Sequence, residues 1–408
     1  MECLSQIPIE ELFEAYYSCR KKKRNTHNAL AFELDYEQNL IQLQKEINSK
    51  NYTPLSSAAF IVNQPVKREV FAADFSDRVI HHWLINKINP LFEQIFIEDS
   101  YACRTQKGTH LGIRRVDEFI KQCSNEYKRD CYILKLDIKG FFMHINKNLL
   151  YERISIFIEK QYHAKDKDLV LDITRRIIYN DPTKNVIIKC SKNSWNSLPK
   201  DKSLFHAKEN CGLPIGNLTS QVFANFYMNS FDQFIKSIGI QYYGRYVDDF
   251  IIVHTDKEYL KELIPHIADF LSEDLNLTLH PKKIYLQHYT KGVSFLGVII
   301  KPHRIYIQNR IKGNFCKAIN RQNEIVRKAK TQDKDCAYFL SVMNSYLGIM
   351  KHYKTYKLRK RILFKHLSAW WWNHVYLTGG YAKFVSKNKI QKMSTTTFMK
   401  AKQHFAKW

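Results

Sequence analysis

The chain has 408 residues, 45% of them hydrophobic and 13% aromatic, which excludes a disordered protein and leaves room for two to four subdomains around a sizeable core. A formal net charge of +25 is far more than solubility asks for, so the expected partner is a polyanion, most simply nucleic acid. Nine scattered cysteines with no CxxC pair exclude a disulfide framework and a structural zinc, and suggest reduced thiols in a cytoplasmic protein.

Residues 10–24 read as a helix ending in the basic run Lys21-Lys22-Lys23-Arg24, which suits a nuclear signal, a solvated face or phosphate contacts. No apolar leader or membrane-length run is seen, so no membrane role is expected. A second helix is expected over 33–49, where Leu34, Leu40, Ile41, Leu43 and Ile47 lie near one face. Residues 58–62 and 68–71 read as strands joined through Gln64-Pro65, with a helix over 74–86 behind them. Lys67, Arg68 and Arg78 therefore lie on and beside a short β-ribbon, where cations grip a triphosphate or cover the sheet. Gly108-Thr109 opens a helix over 110–122, either as a phosphate cradle or as a plain cap.

Residues 132–138, YILKLDI, alternate into a strand that ends at Asp137, with Phe141-Phe142 just behind. A largely helical stretch, 147–180, leads into a polar, loop-rich segment, 181–211. Gly212 and Gly216 then allow close backbone approach to a ligand, and Thr219 or Ser220 is expected to cap an apolar helix over 222–235. Residues 241–254, QYYGRYVDDFIIVH, have the pattern of a hairpin with Asp248-Asp249 at its tip. Beyond it come an amphipathic helix (257–273), a strand (275–279), a turn at Pro281-Lys282-Lys283 and a last hairpin (292–307). From residue 303 onward there are 23 Lys or Arg against 3 acidic residues, interleaved with aromatics that include Trp370-Trp371-Trp372, read as a packed helix or a docking face. His81, His82 and His352 lack metal-ligand spacing.

Neighbouring carboxylates beside apolar strands raise each other's pKa, so something cationic must compensate, most directly a divalent metal. Strand, helices, hairpin, helix and strand suit an antiparallel sheet backed by helices. In that sheet Asp137 is expected to meet Asp248 and Asp249. Two Mg²⁺ ions held by the three would activate a 3′-hydroxyl and steady a leaving pyrophosphate. Positioning and charge neutralisation dominate phosphoryl transfer, and the cations, glycines and basic arm supply the remaining parts.

With Tyr246-Val247-Asp248-Asp249 and Leu136-Asp137-Ile138-Lys139-Gly140-Phe141-Phe142 in view, the chain resembles reverse transcriptases over roughly residues 55–360. The resemblance implies an α+β right-hand polymerase with an N-terminal extension and fingers (1–105), a palm (106–302) with an insertion near 147–210, and a basic helical thumb and tail (303–408). It implies metal binding by Asp137, Asp248 and Asp249 with the main chain of Ile138, and proton donation by Lys282 or Lys283. Nucleotide contacts are implied for Arg68 (or Lys67), Arg78, Phe142 as the ring that excludes a 2′-hydroxyl, Ile215, Gly216 and Gln221. Primer or template contacts are implied for Arg104, Tyr246, the hairpin residues Gly292, Phe295, Leu296 and Gly297, and Lys351 in the thumb.

Ile215 stands where most of the family carries Gln, and Gln221 where it carries Pro. That pattern, with Lys202-Ser203-Leu204-Phe205 upstream, resembles the reverse transcriptases of diversity-generating retroelements in bacteria and phages. Such membership implies dNTPs, a structured template RNA, a cDNA strand with errors at template adenines, and a small basic helical accessory protein assembled as a ring. A retron or defence-associated reverse transcriptase, and a catalytically inactive RNA-binding scaffold, are the alternatives. A group II intron maturase fits less well, because no maturation or endonuclease motif follows the thumb.

Overall fold

A computed structural model describes residues 6–21, 26–63, 66–328 and 333–387. Most of the basic run at 21–24 and the Gln64-Pro65 link lie outside the described residues. The chain forms two compact units, Met1–Leu286 and Gln287–Trp408.

In the first unit, strands β1 (Ser57–Val62) and β2 (Arg68–Ala72) pair antiparallel as expected. The acidic hairpin is β5 (Tyr242–Tyr246) and β6 (Asp249–His254), and β3 (Tyr132–Asp137) pairs with β6, all antiparallel. Buried Leu134, Leu136, Phe250 and Ile252 face helices Phe75–Ile95, Leu218–Tyr227 and Lys257–Glu273, which supply Trp83, Phe223 and Leu271 to one continuous core. The apolar–polar alternation of β3 thus places a half-buried Asp137 at the end of a strand rooted in that core.

Several elements differ from the sequence reading. The helix expected over 33–49 is two, His27–Leu34 and Tyr36–Asn48, broken at Asp35. The helix expected from 222 starts at Leu218, with Asn217 rather than Thr219 or Ser220 at the cap position. Asn217 Oδ1 instead accepts from the Ala73 N–H at 3.1 Å, tying that helix start to the end of β2. The segment 181–211 contains a strand, β4 (Val186–Ile188), parallel to β1. Three residues carry too short an alternation to reveal a strand in advance.

Residues 275–279 form no strand. A lone bridge joins Ile138 to Leu279, flanked by bonds from the Lys139 N–H to the Thr278 carbonyl and from the His280 N–H to the Asp137 carbonyl, at 2.9 and 2.8 Å. Pro281 has no N–H to extend that pairing. The edge strand of the sheet is β7 (Tyr285–His288), so its order is β5-β6-β3-β7.

The second unit begins before the residues expected to close the palm. Its strands β8 (Val293–Phe295), β9 (Val298–Lys301) and β10 (Arg304–Ile307) make their own three-stranded sheet rather than a single hairpin. Helices Asn309–Lys328, Asp333–Met350, Tyr356–His366 and Ala369–His374 follow, then a two-stranded ribbon, β11 (Val375–Thr378) and β12 (Lys383–Ser386). The tryptophan run is a packed helix: Trp371 is fully buried and stacks on Phe339 at 3.9 Å.

Candidate active site

Asp137 and Asp249 are direct partners across β3 and β6, and Asp249 also faces Tyr246 across the hairpin. Asp248 occupies the turn beside them. Burial pushes the Asp248 carboxyl up to about 6, and the Asp137 charge adds to the effect. Asp249 is likewise raised to about 6 by burial, although Lys135 opposes it. Asp137 is thus paired with Asp249, and the charges of both are felt at Asp248.

Two ammonium groups offset that charge. Lys283 Nζ lies 2.8 Å from Asp137 Oδ1, and Lys135 Nζ lies 3.1 Å from Asp249 Oδ2. Lys282 points its backbone, not its side chain, at a neighbour, with its N–H 3.3 Å from His280 Nδ1. Lys135 escaped the sequence reading. The available signal was its position two residues before Asp137, which puts both side chains on the same face of the strand.

The turn itself is strained. Val247, a β-branched residue, has φ +60°, in the left-handed region it rarely adopts. Its carbonyl accepts from Arg245 Nη1 at 3.0 Å. Arg245 is completely buried and forms a two-pronged pair with Asp232, Nε to Oδ1 at 2.7 Å and Nη2 to Oδ2 at 2.6 Å. Tyr243 also donates to Asp232 Oδ1, at 2.6 Å. This buried pair props the acidic turn from beneath, and an arginine in the middle of an apolar strand was its only trace in the sequence.

Asp249 Oδ1 is buried without a hydrogen-bond partner. Among the described residues no group of three or more His, Cys, Asp or Glu is placed so that it could hold a metal ion by itself. The donor set nevertheless fits Mg²⁺, which prefers one or two carboxylates plus substrate phosphates over an all-protein cage. The flanking bonds of the Ile138–Leu279 bridge leave the Ile138 carbonyl unused, while its side chain is buried.

A second cluster gathers residues that the sequence assigns to nucleotide contact. Ala59, Phe71, Met143 and Leu204 form a small apolar core against which Phe142, Ile215 and Trp195 pack. The Phe71 N–H donates to the Ile215 carbonyl at 2.9 Å, and the Leu213 N–H to the Phe142 carbonyl at 2.8 Å, so Phe142 and Ile215 share one scaffold with β2. Gly216 has φ +128°, and a Cβ there would sit 2.8 Å from Val70 Cγ1, so only glycine fits. Gln221 is exposed and accepts from Cys103 Sγ at 3.1 Å.

The insertion is anchored to this scaffold by Glu69, a buried carboxylate the sequence reading passed over. It accepts from Trp195 Nε1 at 2.5 Å, Ser203 Oγ at 2.8 Å and the Leu204 N–H at 2.5 Å. Lys67 Nζ holds the same loop through the Asn196 carbonyl and Ser197 Oγ, so Arg68, exposed on β2, is the cation left facing outward. Arg78 Nε is buried with no hydrogen-bond partner.

Two residues expected to contact nucleic acid have their side chains held inside the fold. The Arg104 side chain is 5% exposed, pairs with Glu93 through Nε at 2.8 Å and donates from Nη1 to the Ile97 and Ser100 carbonyls, so it is held inside the fold. Phe295 is fully buried in the second unit, because alternation along β8 turns Ser294 outward in its place. Leu296 and Gly297 have φ +47° and +91° and make the two-residue turn between β8 and β9. Gly292, φ +77°, leaves no room for a Cβ against the Ile300 carbonyl, and Lys351 is exposed just past helix Asp333–Met350.

Residues 67–300 match the family described as reverse transcriptase (RNA-dependent DNA polymerase), which is more than half of the chain, and the chain belongs to that family. Its antiparallel palm sheet backed by helices is that of a right-hand polymerase, and the family as a whole works with divalent metal ions. Among curated proteins the chain is 22% identical to protein YkfC of Escherichia coli (strain K12) over 290 residues, 62% of this chain and 69% of that one. Among solved structures it is similar to apo telomerase from Candida tropicalis, truncated from its C-terminal domain. There the TM-score is 0.44 and identity 13%, over 62% of this chain and 55% of that one. Telomerase from Candida albicans in complex with a fragment of telomeric RNA gives a TM-score of 0.45 and 12% identity, over 83% of this chain and 59% of that one. The chain thus spans little more than half the length of the telomerase chains it matches. None of its described helices is long and apolar enough to cross a membrane.

Proposed function

We propose that the chain is an RNA-directed DNA polymerase of a diversity-generating retroelement, copying a structured template RNA into cDNA with errors at template adenines. The observation that carries the polymerase reading is the pairing of Asp137 with Asp249 across β3 and β6, with Asp248 in the strained turn beside them. Bound by these carboxylates and the substrate phosphates, a pair of Mg²⁺ ions supplies the charge that lowers the pKa of the primer 3′-hydroxyl and steadies the leaving pyrophosphate. Arg68 and Arg78 hold the triphosphate, and Phe142 excludes a 2′-hydroxyl. Lys283, already on Asp137, is the proton donor to pyrophosphate in preference to Lys282.

The retroelement subtype rests on Ile215. A branched apolar side chain gives no hydrogen bond to hold nucleotide and template in register, and discrimination by apolar contact is much weaker than by hydrogen bonding. A small basic accessory protein assembled as a ring, and a cytoplasmic location, belong to the same reading. The test is extension of a DNA primer on an RNA template with dNTPs and Mg²⁺. Asp248→Ala is expected to abolish product while RNA binding persists; equal extension by the two proteins sinks the reading.

A further inference from the structure

The second unit carries a helix, Tyr356–His366, whose residues the polymerase reading assigns to no contact. Residues 336–387 contain nine Lys or Arg and no Asp or Glu. On helix Tyr356–His366 the buried residues Arg359, Ile362 and Leu363 fix the inward face, and Tyr356, Lys357, Lys360, Arg361, Phe364 and Lys365 are exposed. Spacing of four aligns Tyr356, Lys360 and Phe364 in one row and Lys357, Arg361 and Lys365 in the next. None of these four cations has an ion-pair partner among the described residues.

Two large rings on so basic a face, Tyr356 at 50% and Phe364 at 59% exposed, call for a ligand that is anionic and also offers flat apolar surfaces. Both rings are firmly backed. Phe364 stacks on Trp372 at 5.2 Å and 21°, and meets the edge of Tyr381 at 6.0 Å. Tyr356 meets Tyr381 at 5.2 Å and 74°. Tyr381 is pinned in turn: its carbonyl accepts from Arg359 Nη1 at 2.8 Å, within a turn whose residues 379–381 all have positive φ.

We propose that this face is a binding platform for single-stranded nucleic acid, with bases stacking on Tyr356 and Phe364 and phosphates held by Lys357, Lys360, Arg361 and Lys365. A single strand offers free base faces that a duplex hides in its own stack, so exposed rings favour the former while the cations serve either. Template RNA outside the copied stretch and newly made cDNA share this chemistry. The inference does not depend on the retroelement subtype or on catalysis.

The test uses the full chain, with labelled oligo(U), labelled oligo(dT) and a blunt duplex, read by fluorescence anisotropy over a salt titration. In parallel, photocrosslinking of a 4-thiouridine oligonucleotide is mapped by mass spectrometry. Crosslinks are expected within residues 356–365. Phe364→Ala is expected to weaken single-strand binding by roughly 5- to 100-fold, in line with the usual worth of one base–aromatic stack, with an unchanged salt slope. Phe364→Trp should restore it to within about twofold of the native protein. Lys360→Gln should instead reduce the log–log salt slope by about 0.7. The tighter of the RNA and DNA arms identifies the source of the strand. Absence of crosslinks in this segment overturns the proposal, as does single-strand affinity unmoved by both Phe364→Ala and Tyr356→Ala; the face would then serve an acidic protein.

Discussion

Asp249 accepts from Lys135 through one oxygen and leaves the other buried and unbonded, while Asp137 is engaged by Lys283. A proton donor to the leaving group must reach the reacting atoms, and of the two candidate lysines only Lys283 has its side chain at the carboxylates. Lys283→Ala should therefore lower the single-nucleotide incorporation rate about 10²- to 10⁴-fold, and Lys282→Ala should change it less than about threefold. A rapid-quench comparison that finds the two variants alike would remove Lys283 from that role. Ile215→Gln offers a hydrogen-bonding amide where the native chain has none, and should reduce misincorporation opposite template adenine, read by sequencing the cDNA. An unchanged error spectrum would leave Ile215 as palm packing against Phe71 and Phe142. At this scale the carboxylates were legible, because two acidic residues at an apolar turn and one at a strand end are chemically conspicuous. Lys135 and Glu69 were not, because their partners lie far away in the chain, and the Arg245–Asp232 pair joins a strand to a helix that only the fold brings together. Arg104 and Phe295 are enclosed locally instead, Arg104 by Glu93, Ile97 and Ser100 and Phe295 by the alternation along β8.

At the scale of elements, the surroundings of Phe142 and Ile215, proposed to contact the nucleotide, are built less by the palm alone than by the insertion leaning on β2. Strand β4 pairs with β1, Glu69 gathers Trp195, Ser203 and Leu204, and the resulting apolar cluster packs directly on Phe142 and Ile215. The start of helix Phe75–Ile95 shows a second buried carboxylate. Asp77 accepts from Tyr52 Oη at 2.8 Å and from the Leu55 N–H at 3.0 Å, and burial pushes it up to about 7. A carboxyl raised in the folded state contributes stability at pH below its unfolded value, about 3.9, and that contribution is lost as pH rises through about 7. Asp77→Asn, which cannot ionise, should therefore gain stability over the native protein by about 2 kcal/mol between pH 5.5 and 8.5. Thermal melts of the two proteins across that range check it, and parallel curves would refute the assignment. The helices and main strands followed from apolar periodicity. The break at Asp35 did not, because a single unfavourable residue ends a helix only when packing on either side demands a new direction.

At the scale of the whole molecule, a net charge of +25 divided over two compact units makes nucleic-acid binding steeply dependent on salt. A native chain touching six or more phosphates of a primer–template duplex should show a log–log slope steeper than about −5, measured by anisotropy. A slope near −1 would mean that most of the positive charge faces away from nucleic acid. The sequence by itself determined the polymerase class, the three acidic positions, the antiparallel palm and the polyanion partner. Each of these is written in local pattern: alternation, a turn between β-formers, a run of like charge. Only the tertiary structure decided which cation meets which carboxylate and which strands and loops the insertion packs against. Those outcomes depend on pairings between residues more than a hundred positions apart, Lys283 with Asp137, Lys135 with Asp249 and Glu69 with Ser203, and burial rather than residue type sets the protonation of the carboxylates.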